Sequence, residues 1–331
     1  MSTSRQSAEQ TIEEVLSWRP VLAPVLRFFA PLLAAQAEVV RELEPPSSVP
    51  SLPTPDVERL KQGVSLLAGA SLTGLAAPMR AAAEKLLPLL EPMEALAPHL
   101  PVLREFFLKP VEEPAEYSME KPDAPTENKP ERDSRETLAE ALIAGNKKGV
   151  AGIARNIGLD PLLLEFVAAL VIAPVLRSMV NCALPEEGET PWDEGGLWQQ
   201  GYCPVCGAMP TVGWLDKPAV DDKNAFLAGG GGKKHLHCVQ CGAGWKFLRG
   251  ACPACGKKDD GTIEILRETG PSHGERLDWC TKCKTYCPTV DLREREFVPD
   301  LDALAMGMMH LDMVAARRKL RPLKASFWNL F

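Results

Sequence analysis

Eight of the ten cysteines in this 331-residue chain fall into four pairs with the spacing Cys-x-x-Cys. The pairs are Cys203 and Cys206, Cys238 and Cys241, Cys252 and Cys255, and Cys280 and Cys283. A tight turn at this spacing points two sulfur atoms the same way, and two such turns face to face supply the tetrahedral set of four thiolates that zinc requires. Taken in sequence order, the pairs predict two metal ions per chain, and four thiolates accept either zinc or rubredoxin-type iron.

The stretches enclosed by these turns predict β-hairpins. Thirty-one residues lie between Cys206 and Cys238, and 24 lie between Cys255 and Cys280. A short alternating stretch ending at Ile265 is typical of a strand in such a hairpin. We therefore predict two tandem zinc-ribbon or rubredoxin-like modules, at residues 197–249 and 250–293. Modules this small usually need their metal to fold, so metal loss is expected to unfold the ribbons and leave the rest of the chain folded.

The N-terminal part, residues 1–184, is predicted to be an all-α domain. Two helix starts are indicated, at Thr54-Pro55-Asp56 and at Asp160-Pro161, because each places a capping side chain before a proline. The apolar run Pro161–Leu176 predicts a buried helix, since it contains Glu165 and is shorter than the roughly 20 residues that a membrane span needs. No membrane insertion is expected.

The remaining segments complete a multi-domain fold of α and small β structure. Residues 111–134 are acidic and proline-rich with almost no large apolar side chain, which predicts a disordered loop. Residues 294–331 are predicted to hold a C-terminal helix from Asp300 to about Leu320 and a tail. The predicted order is thus a helical domain, two metal modules and a final helix.

Charge and the lack of an export signal limit the function classes. The net charge is −7 and the pI is near 5.5. Residues 197–293 hold 13 Lys/Arg and 10 Asp/Glu, and two centres of charge −2 would bring this region to about −1, so we expect no nucleic-acid partner. The first thirty residues lack a basic region followed by an apolar core, which predicts a cytoplasmic, reducing location.

The other cysteines and the histidines near the turns have simpler interpretations. Cys182 is predicted to be a small buried residue, and Cys287 is either a packing residue or a spare ligand or redox group. His235 and His237 flank the second turn, and hydrogen bonding near the thiolates is the preferred interpretation. Because four thiolates close the coordination sphere, no catalytic residue and no enzyme activity are predicted.

One known family has this arrangement of motifs. The chain resembles the FdhE family, the formate dehydrogenase accessory proteins, and the resemblance rests on four stretches of sequence and on the ending Asn329-Leu-Phe. These are Cys203-Pro-Val-Cys-Gly-Ala-Met-Pro210, Leu236-His-Cys-Val-Gln-Cys241, Cys252-Pro-Ala-Cys-Gly256 and Cys280-Thr-Lys-Cys283. The chain departs from the family pattern in its long first interval with a glycine run at 229–232, in Lys284 where glycine is usual, and in the extra Cys287.

The resemblance implies a function that spacing alone does not. It implies a cytoplasmic maturation factor for a respiratory, molybdenum- or tungsten-containing formate dehydrogenase, with the catalytic subunit of that enzyme as its partner. Family members are associated with rubredoxin-like iron as well as zinc. Two alternatives stay open: a rubredoxin-like electron-transfer or redox protein, and a nucleic-acid-binding zinc-ribbon protein.

Overall fold

The computed structural model describes residues 5–44, 46–111, 132–185, 189–217, 232–268, 270–326 and 329. Apart from its ends, the predicted acidic loop at 111–134 lies outside these ranges, as does most of the glycine run.

The N-terminal part of the described chain is helical, as predicted. Its helices are α1 (Ala8–Trp18), α2 (Ala23–Glu42), α3 (Val57–Lys61), α4 (Ala76–Leu86), α5 (Leu100–Leu108), α6 (Ser134–Ile143), α7 (Lys147–Asn156) and α8 (Pro161–Ala183). A 3₁₀ turn at Leu87–Leu90 follows α4 directly. The change of helix type coincides with Pro88, whose missing N–H interrupts the α-helical hydrogen bonds.

Of the two predicted helix starts, one is confirmed. Asp160 caps α8, and its carboxylate accepts hydrogen bonds from two backbone N–H groups of the first turn. Helix α3 instead begins at Val57 with Asp56 as its cap, so the prediction of Thr54 was wrong by two residues. Aspartate and threonine side chains both cap helices. Pro55 lies between Thr54 and Asp56, so the sequence alone does not decide which of the two is the cap.

Helix α8 is the centre of the helical core. Twelve of its 23 residues are buried, and it packs against α2, α4 and α7. The predicted buried helix is confirmed, but the helix is longer than the apolar run that predicted it. By length and composition alone, α8 and the segment Pro20–Glu42 are apolar enough to cross a membrane, although most of α8 is buried inside the protein.

The two ribbon modules share one sheet. Its strands are β1 (Val212–Leu215), β2 (Lys234–His237), β3 (Gly244–Lys246), β4 (Ile263–Leu266), β5 (Glu275–Cys280), β6 (Thr285–Asp291) and β7 (Arg321–Pro322). The order is β3-β2-β1-β6-β5-β4, with β7 beside β6. Within each ribbon the strands are antiparallel. The ribbons are joined by the parallel pairing of β1 with β6, where Gly213 lies opposite Thr289.

The predicted single C-terminal helix is in fact two helices. Helix α9 (Leu301–Gly307) begins directly after Asp300, whose side chain caps it, and α10 (Met309–Arg317) follows Met308. Helix α1 packs against α9. A Cβ at Gly307 would lie 3.0 Å from the methyl carbons of Val15, so glycine permits this close approach. These three helices and the sheet enclose a second apolar core. The domain boundaries at 184, 197, 249 and 293 stay predictions.

Candidate metal centres

The first candidate centre brings together Cys203, Cys206, Cys238 and Cys241. The Sγ atoms of Cys203 and Cys241 are 3.5 Å apart, as are those of Cys206 and Cys238, and all four sulfur atoms lie within 4.8 Å of one another. Four sulfurs at ~2.3 Å from one metal would be about 3.8 Å apart. The arrangement therefore fits a single tetrahedrally coordinated ion.

The second candidate centre has the same geometry. The Sγ atoms of Cys252 and Cys283 are 3.6 Å apart, and those of Cys255 and Cys280 are 3.8 Å apart. This group also lies within 4.8 Å. The structure thus brings the eight predicted cysteines together in the predicted pairing, first turn with second and third with fourth.

All four turns close in the same way. The N–H four residues after the first cysteine donates to the carbonyl of that cysteine, at 2.8–3.0 Å. In three turns this residue is a glycine with φ between 70° and 77°, namely Gly207, Gly242 and Gly256. The fourth turn uses Lys284 at φ 61°, a conformation that costs a side-chain-bearing residue about 1 kcal/mol. The Lys284 ammonium lies 5.0 Å from the centre of the Trp279 ring, a contact that offsets part of this cost.

Burial controls the protonation of the first group. Burial raises the pKa of the Cys203 and Cys241 thiols well above the usual range. The neighbouring thiols donate hydrogen bonds to Cys238 and lower its pKa well below that range. Without a cation, burial thus favours neutral Cys203 and Cys241 thiols beside the Cys238 thiolate. A divalent metal supplies the positive charge that lets all four sulfurs ionise.

Thr285 supports the second group and was not anticipated from the sequence. Burial alone would raise the pKa of Cys283, but hydrogen bonds from the Thr285 hydroxyl and N–H outweigh it and lower the pKa to about 7. The hydroxyl lies 3.0 Å from the Cys283 sulfur and 3.7 Å from that of Cys252. A hydroxyl two residues after a ligand cysteine is the signal that could have identified it.

The first centre is built into the helical core. Backbone N–H groups of Leu66 and Leu67 donate to the carbonyls of Pro204 and Val205, at 2.8 and 2.9 Å. The four cysteines share one apolar cluster with side chains of α4 and α8. The first ribbon and the helices therefore form one packed unit, which changes the expectation that the helices fold without metal.

A buried charge network fixes the second turn to two helices. Arg177 of α8 forms an ion pair with Asp302 of α9 and donates to the carbonyl of Val239 inside the turn. The Nε2–H of His237 donates to the other Asp302 oxygen at 2.9 Å. Burial alone would raise the pKa of Asp302, but Arg177 and His237 hold it well below its usual range. The available sequence signal was a single arginine directly after the apolar run, still within α8.

The other cysteines and histidines are placed as follows. Cys182 is exposed, so the prediction that it is buried was wrong, because it lies in the last turn of α8. Cys287 is 3% exposed within the core and lies outside both four-cysteine groups, which favours packing over a spare ligand. Nε2 of His235 lies 2.7 Å from the carboxylate of Asp216. Both histidines thus pair with carboxylates rather than with sulfur.

A close backbone approach links the two centres. A Cβ at Gly201 would lie 2.1 Å from the carbonyl oxygen of Pro253, which lies inside the third turn. Gly201→Ala is expected to displace that turn and to destabilise the protein by about 1–3 kcal/mol, with weaker metal retention at the second centre. Urea unfolding and metal analysis measure both effects.

Gly250 provides the matched control, because a Cβ there meets no atom within 4 Å. Gly250→Ala should leave stability and metal content at wild-type values. Equal effects of the two substitutions would contradict the close-approach argument.

A tyrosine–aspartate pair connects the second ribbon to α10. The Tyr286 hydroxyl donates to Asp312 at 2.7 Å, and burial raises the pKa of Asp312 to about 7. The pKa of this carboxyl group is 3.8 in the unfolded chain and about 7 in the folded protein. Deprotonation therefore lowers the stability of the folded protein as the pH rises from about 3.8 through about 7. Asp312→Asn should therefore stabilise the protein, by about 2 kcal/mol more at pH 8.5 than at pH 5.5.

The readout is the difference in unfolding free energy between variant and wild type at the two pH values. Taking this difference cancels the pH dependence of metal binding, which both proteins share. A difference that does not change with pH would show that Asp312 does not titrate in this range.

Known proteins resemble this chain in sequence and in fold. A segment of 155 residues is 28% identical to the FdhE homologue of Aquifex aeolicus and covers 46% of this chain and 48% of that protein. Over 113 residues the chain is 29% identical to the FdhE homologue of Shewanella baltica, covering 34% and 33%. The crystal structure of the FdhE protein from Pseudomonas aeruginosa matches 100% of this chain and 97% of that chain, with a TM-score of 0.56 and 21% identity. The resemblance to the FdhE family is confirmed.

The matches to FdhE sequences cover only part of each protein. The chain spans about half the length of the Aquifex aeolicus FdhE homologue and about a third of the Shewanella baltica one. No family model matches the chain. The likeness to the Pseudomonas aeruginosa FdhE structure extends over the whole chain and confirms the predicted fold class, a helical part followed by two four-cysteine modules and C-terminal helices.

Proposed function

We propose that this chain is a cytoplasmic accessory protein for the formation of a respiratory, molybdenum- or tungsten-containing formate dehydrogenase. The catalytic subunit of that enzyme is its proposed partner. The observation that carries the proposal is the sequence similarity to FdhE proteins. The likeness of fold over the whole chain supports it.

We further propose that each four-cysteine group binds one metal ion, zinc or iron. The ligands are Cys203, Cys206, Cys238 and Cys241 at the first centre, and Cys252, Cys255, Cys280 and Cys283 at the second. Four thiolates leave no coordination position for a substrate or an activated water. This chemistry supports a protein that assists another protein rather than an enzyme.

A rubredoxin-like electron-transfer protein is the second candidate, and the exposure of Cys255 favours it at the second centre. An iron-loaded centre of this kind would show visible absorbance that bleaches reversibly with reductant. The protein purified from its own host tests this directly. Colourless, zinc-loaded protein that supports formate dehydrogenase formation would exclude the electron-transfer function.

The accessory function is tested by deleting the gene in the native host. Formate dehydrogenase polypeptide and activity are then measured separately. We expect the polypeptide to remain and the activity to be lost, with recovery on complementation by the wild-type gene. A variant with Cys238→Ser and Cys241→Ser should fail to restore activity.

Cys182→Ser is the matched control, because Cys182 is exposed and lies outside both four-cysteine groups. It should restore activity like the wild type. Unchanged activity in a deletion strain that holds no second copy of the gene would refute the accessory function.

A further inference from the structure

The two candidate centres differ in how far solvent reaches them. At the first centre all four cysteines are buried, with at most 3% of each residue exposed. At the second centre Cys252 and Cys280 are buried, with 1% of each residue exposed, whereas Cys283 is half-buried and Cys255 is exposed. Each turn of the second centre therefore contributes one buried and one more exposed cysteine, and Cys255 and Cys283 form its accessible edge.

The surroundings of the first centre close it off. The side chain of Arg177 covers its second turn, since a Cβ at Gly242 would lie 3.1 Å from the Arg177 side chain. A second contact fixes the same turn to α8, because Gln240 donates to the carbonyl of Ala169 at 3.2 Å. A ligand from solution could reach these sulfurs only after the helices and the ribbon separate.

The surroundings of the second centre leave its outer edge open and basic. Ala254, Gly256 and Lys257 beside Cys255 are exposed, as are Lys282 and Lys284 on either side of Cys283. These three exposed lysines are neighbours in sequence of the outer cysteines, and their charges offset part of the formal charge of −2 and favour the approach of an anion. The edge thus suits a soft anionic ligand.

We propose that the second centre is an exchange site, which passes its metal to an acceptor that offers thiolates, while the first centre retains its metal. The inference rests on the proposed metal binding and not on the formate dehydrogenase partner. In the first step an incoming thiolate would replace Cys255 as a ligand, so that one metal–sulfur bond would form as the bond to Cys255 breaks. The freed Cys255 thiolate takes a proton from water, and no electron is transferred.

The test uses the full chain with two zinc ions per molecule, verified by elemental analysis before the experiment. Millimolar glutathione is added with 4-(2-pyridylazo)resorcinol, a chelator whose colour reports released zinc. We expect two phases of one metal each, the first at least about tenfold faster, because the buried centre must first open its core. A variant with Cys280→Ser should lose the fast phase and keep the slow one. Release of both ions at a single rate would overturn the proposal.

Alkylation of the wild-type protein gives a second, independent measurement. N-ethylmaleimide should label Cys255 and Cys283 together with loss of one zinc ion, before any cysteine of the first centre is labelled. Cys182, an exposed thiol outside both groups, is the internal control for reagent activity. Labelling of the first centre before the second would overturn the proposal. A protein that holds no metal at the start would instead refute the proposed metal binding.

Discussion

Cys206→Ser is expected to unfold a large part of the helical region together with the first ribbon. Cys206 lies in the same apolar cluster as α4 and α8, and the first turn accepts hydrogen bonds from Leu66 and Leu67. A structural zinc site contributes an apparent 10–16 kcal/mol, roughly, which matches or exceeds the roughly 5–15 kcal/mol by which a typical protein is stable. Loss of the first metal should therefore lower the melting temperature of the helices by more than about 10 °C, or yield insoluble protein.

Cys283→Ser is the matched variant at the second centre. Cys283 is half-buried, and its carbonyl accepts a hydrogen bond from Arg321 of the short C-terminal strand β7 at 3.3 Å. We expect its helical circular dichroism signal and the melting of that signal to stay close to wild type, with one metal lost. Equal loss of helical stability in both variants would contradict the assignment of the first centre to the helical core.

The second large effect on stability is expected from substitution of Asp302. Asp302→Ala removes the carboxylate that pairs with Arg177 and accepts from His237, which leaves the buried guanidinium without a counter-charge, so the free energy of unfolding should fall by about 3–5 kcal/mol. Chemical unfolding at neutral pH measures it. The double variant with Arg177→Met and Asp302→Leu should lose less than Asp302→Ala alone, because it leaves no unpaired charge in the interior.

A surface ion pair provides the control for this prediction. Arg80 and Glu84 lie 3.1 Å apart with 40% and 51% of their side chains exposed, and Glu84→Ala should cost no more than about 0.5 kcal/mol. If Asp302→Ala costs no more than Glu84→Ala, the network does not hold the second turn to α8 and α9.

The grouping of the cysteines could be predicted from the sequence because its cause is local. A spacing of three residues determines each turn, a following glycine closes three of the four, and the strands at Ile263–Leu266 and Glu275–Cys280 agree with the predicted hairpin. The capping of α8 is equally local, since Asp160 and Pro161 act within one turn.

Long-range features could not be predicted in this way. The parallel pairing of Gly213 with Thr289 and the ion pair of Arg177 with Asp302 each join residues far apart in the sequence. The break at Met308 was missed because the apolar pattern from Leu301 to Ala315 continues across it. The shared core of the first ribbon and the helices follows from such contacts and not from composition.

Metal stoichiometry tests the central claim, that two separate four-cysteine centres each hold one ion. Protein purified without oxygen is analysed for zinc and iron and for free thiols. The account predicts about two metal ions per chain, with one ion lost in the Cys283→Ser variant and thiol reagents reaching Cys182 in the loaded wild type. One metal ion per chain, or eight reactive ligand thiols in a folded protein, would contradict it.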